Sequence, residues 1–270
     1  MNQLFQGKRV LVLGVANERS IAWGISQAFH EHGAKLGFTF VGEALEKRVR
    51  PLADSLGSDL VHPCDVADDA QIQAVFDQVR QQWGGLDVVV HSVAFANRED
   101  LEGRFVDTSR AGFHLALDIS AYSLVAVARA AAPMLAESKG SIVTMTYYGA
   151  EKVVQNYNVM GVAKAALEAS VKYLAVDLGP KKIRVNAISA GPIKTLAASG
   201  IDDFRYILKW NEYNAPLRQT VSIEEVGDAG FYFLSDLSRG VTGEVHHVDS
   251  GYHVVGMKAV DAPDIATVKD

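Results

Sequence analysis

Short apolar runs rich in Val, Ile and Leu recur along the chain, at 9–13, 36–41, 60–62, 87–91, 141–146, 184–188 and 245–248. They show little polar alternation, the pattern of strands covered on both faces. Between them lie longer stretches with helical periodicity, at 20–32, 43–56, 69–83, 120–137, 157–178 and 224–234. Gly33 and Gly179 stand where helices would stop, and Pro180 follows the second. Strand followed by helix, repeated, predicts a parallel sheet with right-handed crossovers. The pattern predicts an α/β chain with a doubly wound, seven-stranded parallel sheet, helices on both faces, and residues 1–270 as one domain.

Two polar segments interrupt this rhythm. Residues 97–113 follow the fourth strand, and residues 196–215 follow the sixth. Ligands of open parallel sheets bind beyond the carboxyl ends of the strands, so both segments are candidate pocket walls or lids. Residues 257–270 read as a surface tail. No linker, repeat or low-complexity tract is visible.

Composition narrows the function classes. Of the 270 residues, 49% are hydrophobic and 21% charged, with a net charge of −6. Mild acidity argues against a nucleic-acid surface, which needs clustered Lys and Arg. The single cysteine, Cys64, permits no intrachain disulfide and reads as a small residue at a strand end. The apolar run at 10–15 is too short for a signal core, and no segment approaches the ~20 apolar residues of a membrane helix. A cytoplasmic protein is expected, with no membrane or nucleic-acid partner.

The first strand runs into Gly14-Val-Ala-Asn-Glu-Arg-Ser20-Ile21-Ala-Trp-Gly24 and then a helix. A Rossmann-type dinucleotide site needs a tight, side-chain-poor turn there, with helix amides meeting the diphosphate. Gly14 and Gly24 suit it, and Ser20 can cap the helix, although the GxGxxG spacing is absent. At the second strand end stands Val41, followed by Glu43, Lys47 and Arg48. An acid near this point holds an NAD ribose, whereas Arg accommodates NADP; the balance favours NADH. Asp65 and Val66, after the third strand, either frame the adenine or belong to a helix-capping loop with Asp68 and Asp69.

Tyr157 and Lys164 are seven residues apart on one helical pattern. That spacing puts both on one face, separated by roughly 10 Å along the axis. The stripe Met160, Ala163, Leu167, Val171, Leu174 runs beside Lys164, so the ammonium should be partly desolvated. Tyr157 can then donate to a developing oxyanion with a cation nearby. The plainer alternative is an amphipathic Tyr and a snorkelling Lys. His91 and the pair His246-His247 invite a metal reading. Adjacent strand residues point to opposite faces, however, and the usual companion ligands are lacking; no metal is expected.

Further motifs carry a family resemblance. The turn Gly14…Ser20-Ile21-Ala22, Cys64-Asp65-Val66, 91–96 (His-Ser-Val-Ala-Phe-Ala), Tyr147…Asn156-Tyr157-Asn158-Val159-Met160-Gly161…Lys164 and 186–200 span most of the chain. The sequence resembles the short-chain dehydrogenase/reductases, and more closely the bacterial NADH-dependent enoyl-acyl-carrier-protein reductases. The Tyr-x6-Lys pair with upstream Tyr147 carries the distinction. Gly161 stands where the ordinary branch, with Tyr-x3-Lys, has its lysine.

The resemblance implies reduction of trans-2-enoyl thioesters on acyl carrier protein by NADH, in the elongation cycle of bacterial type II fatty acid biosynthesis. It implies that Tyr157 hydrogen-bonds the thioester oxygen and that Lys164 holds the nicotinamide ribose. Tyr147 would flank the pocket. Gly14, Ser20, Ile21, Val41, Asp65, Val66, Val93, Ile193 and Thr195 would line the cofactor. Ala96 would touch the substrate through its backbone, and 196–207 would form a flexible lid. Three positions depart from the pattern: Val41 for the usual Gln, Ala94 for the usual Gly beside the nicotinamide, and Tyr148 for an aliphatic residue. Family members form tetramers, through helix packing and a C-terminal strand region matched by 243–251, where Ser250 interrupts a Gly pair. A homotetramer is expected. The alternatives are a carbonyl or alcohol reductase of the same fold and a non-catalytic NADH-binding sensor.

Overall fold

The computed structural model describes residues 4–201 and 203–265. Seven strands form one sheet: β1 (Arg9–Leu13), β2 (Lys35–Phe40), β3 (Leu60–Pro63), β4 (Val88–His91), β5 (Ser141–Thr146), β6 (Arg184–Ala190) and β7 (Val245–Val248). Their order is β3-β2-β1-β4-β5-β6-β7, and every neighbouring pair is parallel. Val10 registers with Leu36 on one side and Val88 on the other. The order of the chain reverses between β1 and β4, which creates the crevice where such sheets bind ligands.

Eight α-helices complete the described residues: α1 (Ile21–Glu31), α2 (Gly42–Ser55), α3 (Asp69–Trp83), α4 (Arg110–Leu117), α5 (Ser123–Ser138), α6 (Asn158–Leu178), α7 (Phe204–Asn214) and α8 (Ile223–Leu234). Two cores separate the layers. One packs Val10, Val12, Phe38 and Val143 against α1, α2 and α8, with Ile25, Phe29, Val49 and Phe233 fully enclosed. The other packs Leu11, Leu13, Val89 and Ile142 against α3, α5 and α6. Alternate residues of one strand thus enter opposite cores, which is why the strands read as continuous apolar runs. Beneath the sheet, Arg9 Nε donates to Asp87 Oδ2 at 2.7 Å. Burial opposes the Asp87 carboxylate, yet the Arg9 bonds and charge hold its pKa below the usual carboxylate range.

The structure adds what the pattern missed. The segment at 97–113 contains the start of α4, capped by Ser109 Oγ accepting from Gly112 N–H at 2.9 Å. α4 continues through a π-helical turn (Asp118–Tyr122) into α5, one unbroken run from Arg110 to Ser138. With a mean hydropathy of 1.4 over its most apolar stretch, that run is long and apolar enough to cross a membrane, which corrects the expectation that no segment approached this. Half of that stretch is buried inside the fold, so it also serves as a core helix. The segment at 196–215 contains a 3-10 turn (Ala197–Gly200) and α7; residue 202 lies outside the described residues, as do 266–270 of the tail.

Smaller differences have local causes. Gly179 ends α6 at φ −54°, without a left-handed turn; the helix tightens into the 3-10 turn Gly179–Lys181 and Lys182 takes the positive φ instead. Ser250 has φ +57°, in the left-handed region where glycine is at ease. The tail docks back onto the fold, with Ala259 N–H donating to Asn214 Oδ1 at 2.8 Å and Arg218 paired to Asp261 at 2.9 Å.

Candidate active site

The residues singled out for the cofactor follow the carboxyl ends of strands. Gly14 leaves β1 at φ +105°. A Cβ there would land on the Ser92 carbonyl oxygen, just past β4, so the turn lies bare against β4 at the crevice. Gly24 serves packing instead. Its Cβ would strike the Ile223 carbonyl, so its absence lets α1 lie on the start of α8. Ser20 occupies the N-cap position of α1 but does not cap it. Its Oγ accepts from the amides of Ala16 and Asn17, at 3.0 and 3.1 Å, because the turn has its own donors to satisfy. No side chain therefore caps the first turn of α1, where the amides ahead of Trp23 lie at the positive end of the helix. That is what a dinucleotide diphosphate requires, so these residues fit the group.

Around the rest of the crevice, Val41 is exposed at the N-cap of α2. Below it Arg50 lies over the Phe40 ring. Asp65 is half-buried; its carboxylate accepts from Ala67 N–H and its own amide donates to Gln71 Oε1, both at 2.9 Å. Asp68, not Asp65, caps α3, through Ala70 N–H at 2.8 Å. Val66 is buried and Val93 packs on the same core, while Ile193 packs on the opposite one. Thr195 Oγ1 accepts from Ala198 N–H at 3.1 Å, which pins the start of the segment beyond β6.

Ala96, Tyr147 and Tyr157 converge in a third apolar cluster with Leu101, Met160 and Ile201. The rings of Tyr147 and Tyr157 meet edge to face, with centroids 5.1 Å apart and an interplanar angle of 77°. Burial drives both phenols well above the ordinary tyrosine value; Tyr252 and Asp249 add to the effect at Tyr147, and Tyr147 and Glu168 add to it at Tyr157. Both hydroxyls are thus neutral donors at physiological pH.

Lys164 is 6% exposed and donates to the Met145 carbonyl at 2.7 Å. An ammonium keeps two further donors for other partners. Burial pushes its pKa down to about 8, against the pull of Glu168 one turn on. Glu168 in turn accepts from Thr146 Oγ1 at 2.7 Å.

Several supports were not read from the sequence. Tyr157 precedes α6 instead of lying within it, flanked by Asn156 and Asn158 at φ +59° and +36°. Asn158 Nδ2 donates to the carbonyls of Leu101 and Gly103, at 2.9 and 3.2 Å, and ties the loop after β4 to the tyrosine. A Cβ on Gly149 would press on the Tyr157 ring at 2.5 Å. Ser120 Oγ takes the Phe95 amide and returns its proton to the Phe95 carbonyl, fixing the residue beside Ala96. The repeated Asn and Gly around Tyr157 were the available signal.

The histidines have other partners. His91 is fully buried between Thr144 Oγ1 and Ser123 Oγ, each at 2.9 Å. Burial, with the Lys164 charge, drives its pKa down to about 3, so the ring is neutral. Ser123 donates to the Ile119 carbonyl, which leaves its lone pair for His91 Nε2–H. His246 packs on Phe233, while His247 bonds Glu151 at 2.6 Å.

The chain is also similar to known proteins over most of its length. The family profile described as Enoyl-(Acyl carrier protein) reductase matches residues 14–253. Enoyl-[acyl-carrier-protein] reductase [NADH] 1 of Rhizobium meliloti is 66% identical, covering 99% of this chain and 98% of its own. The FabI enoyl-[acyl-carrier-protein] reductase [NADH] of Bacillus cereus is 60% identical over 94% of this chain and all of its own. A crystal structure of the Anaplasma phagocytophilum enzyme with NAD superposes with a TM-score of 0.92 at 56% identity, over 96% and 99% of the two chains. The Bacillus cereus enzyme with NADP+ and indole naphthyridinone gives 0.92 at 59% identity, over 95% and 100%. With the family profile matching residues 14–253 and relatives 60–66% identical over nearly the whole length, the chain belongs to the enoyl-acyl-carrier-protein reductase family.

Proposed function

We propose that this protein reduces the carbon–carbon double bond of trans-2-enoyl thioesters carried on acyl carrier protein, using NADH, in bacterial type II fatty acid biosynthesis. The observation that carries the reading is the spacing built around Gly161. A Cβ at that position would stand 2.8 Å from the Gly149 carbonyl oxygen. No lysine fits four residues after Tyr157, and the ammonium comes instead from Lys164 on the buried face of α6.

Bound NADH would supply a hydride to the β-carbon, and negative charge would then build on the thioester oxygen. Tyr157, kept protonated by burial, donates its hydroxyl to that oxygen where the charge develops. Lys164 uses its free donors on the nicotinamide ribose and adds a positive field. Tyr147 closes the other side of the pocket and orients the thioester. Gly14, Ser20, Ile21, Val41, Asp65, Val66, Val93, Ile193 and Thr195 line the cofactor, and Ala96 meets the substrate through its backbone. Residues 196–215 serve as the substrate lid of a single working unit.

The same reading places the protein in the cytoplasm as a homotetramer. Tyr173 and Val176 stand 77% and 75% exposed on the outer face of α6, an apolar surface suited to helix packing between subunits. Light scattering after size exclusion checks it: a mass of four chains supports the tetramer, and a single chain refutes it.

The activity is tested by absorbance at 340 nm with NADH and a crotonyl thioester, on acyl carrier protein or coenzyme A. The expected result is NADH oxidation only with thioester present, slowed by ~10²-fold or more in Tyr157→Phe. Turnover of simple ketones instead would favour a carbonyl reductase. Tight NADH binding with no turnover at all would favour a sensor.

A further inference from the structure

Four aromatic residues outside the reaction centre link the turn after β5 to α7. Tyr148 meets Tyr252 edge to face, with centroids 5.7 Å apart and an interplanar angle of 82°. The Tyr252 hydroxyl accepts from Trp210 Nε1–H at 2.8 Å. One turn earlier on α7, Tyr206 stacks on Trp210 at 6.0 Å and 24°. Burial lifts the pKa of Tyr252 above the ordinary tyrosine value, so its phenol stays neutral and remains a fixed acceptor.

These contacts join two elements that border the reaction centre. Tyr148 is the immediate neighbour of Tyr147 and opens the turn Tyr148–Ala150. That turn carries the Gly149 carbonyl that lies against Gly161, and it backs the Tyr157 ring. At the other end, α7 belongs to the segment beyond β6, whose Ile201 reaches the apolar cluster with Tyr147 and Tyr157. Tyr252 is the only one of the four on neither element. It follows β7, in a short turn whose amides are held by Asp249: Gly251 and His253 N–H donate to its carboxylate at 3.0 and 2.8 Å. The carboxyl end of the sheet therefore supplies a rigid post between lid and catalytic turn.

We propose that Tyr252, Trp210 and Tyr148 form a latch that sets the position of α7 against the catalytic turn, and thereby the affinity for the enoyl chain. These are positioning residues: they touch the catalytic turn and the lid segment, not the reacting atoms. The proposal rests on the enoyl-thioester reading above. It also accounts for Tyr148, which stands where the family pattern has an aliphatic side chain. An aliphatic side chain could pack on Tyr252 but would offer no ring for an edge-to-face contact.

The test is steady-state kinetics of Trp210→Phe, Tyr252→Phe, the double variant and Tyr148→Leu, with crotonyl and octenoyl thioesters. Both Phe substitutions keep an aromatic ring and remove one partner of a single hydrogen bond. The latch predicts that KM for the thioester rises roughly two- to tenfold, the size of one neutral hydrogen bond, while kcat and the KM for NADH change less. It predicts that the double variant is no worse than the worse single one, because both lose the same bond. Unchanged thioester KM in both single variants, or losses that simply add, overturns it. A lowered melting temperature with unaltered kinetics also overturns it, because that is a purely structural role. If the unmodified protein oxidises no NADH with any enoyl thioester, the functional reading fails instead. The latch is then read from amide hydrogen exchange across Phe204–Asn214: faster exchange in Tyr252→Phe supports it, and unchanged exchange refutes it.

Discussion

The carbonyl oxygen of Gly149 stands 2.8 Å from the point that a Cβ on Gly161 would occupy. One contact between two glycines thus excludes a lysine four residues after Tyr157. It also explains how the turn after β5 comes to lie flat on α6 beside Tyr157.

Gly161→Ala puts two effects in opposition. Alanine in a helix interior gains about 1 kcal/mol over glycine. Here the added methyl meets a backbone carbonyl that cannot rotate away, and overpacking of this kind costs ~1–3 kcal/mol. The expected outcome is a lower melting temperature and a lower kcat, as Tyr157 is displaced. A variant that melts higher with full activity would show that the turn yields freely.

Lys164 gives two pH slopes of opposite sign. Its folded pKa of about 8 lies below the ordinary 10.5. An unfolded chain therefore binds more protons between those values, and the contribution of Lys164 to stability grows as pH rises from 8 towards 10. The ammonium that supports the reaction disappears over the same interval. In the free enzyme, kcat/KM should fall as pH passes about 8 while resistance to urea does not fall with it. Lys164→Met should remove both slopes. A kcat/KM profile that stays flat to pH 10 would show that the charge of Lys164 is not required.

His91 predicts acid sensitivity. Its folded pKa of about 3 lies below the ordinary 6.5, so the neutral ring contributes stability that is present above 6.5 and lost as pH falls towards 3. Between pH 7 and pH 5 the loss should be about 2 kcal/mol, from ~1.4 kcal/mol per unit. Urea denaturation at the two pH values measures it. His91→Gln can bond both hydroxyls without titrating, and it should show a smaller loss; an equal loss in both proteins would assign the acid sensitivity elsewhere.

Gly14→Ala tests the cofactor turn. Its φ of +105° and the Ser92 carbonyl both exclude a methyl. NADH affinity, read by fluorescence titration, should fall by at least tenfold in whatever fraction folds, because the turn must leave β4 and move the end of α1. A folded Gly14→Ala protein that binds NADH within twofold of the parent would contradict this account of the turn.

β1 and β5 were legible because both are enclosed on both faces, so apolar content alone marked their true bounds; β7 was also placed at its true bounds, although it is only partly covered and half of it is histidine. The helices α4 and α7 were not, and the causes are physical. α4 contains Gly112, a residue that reads as loop; it is glycine because a Cβ would land on the Asp100 carboxylate. α7 has Asp203 at its N-cap, with φ +57° and no side-chain cap, and so lacks a start signal. At the site, Tyr157 and Lys164 were read as a spacing along one helix, but Tyr157 stands at the N-cap just before α6, between two asparagines of positive φ, so helix periodicity alone does not set its direction. Ser20 was read as a helix cap because its position fits; which amides its hydroxyl takes depends on the path of the preceding turn, which no local pattern encodes. The partners of Lys164 and Tyr252 are a carbonyl on β5 and an indole on α7, contacts that only tertiary structure creates.

The tie between Arg9 and Asp87 spans 78 residues. β1 pairs on one side with β2, which follows closely, but its other edge must wait for β4. During synthesis, Val10, Leu11 and Val12 therefore present a half-finished strand until the residues around Asp87 have left the ribosome. Parallel pairing across such separations is slow, and an open apolar edge invites pairing with the wrong chain. Of all the neighbouring strands in the sheet, β1 and β4 are separated by the longest stretch of chain, so the edge that leads into Gly14 waits longest for its partner.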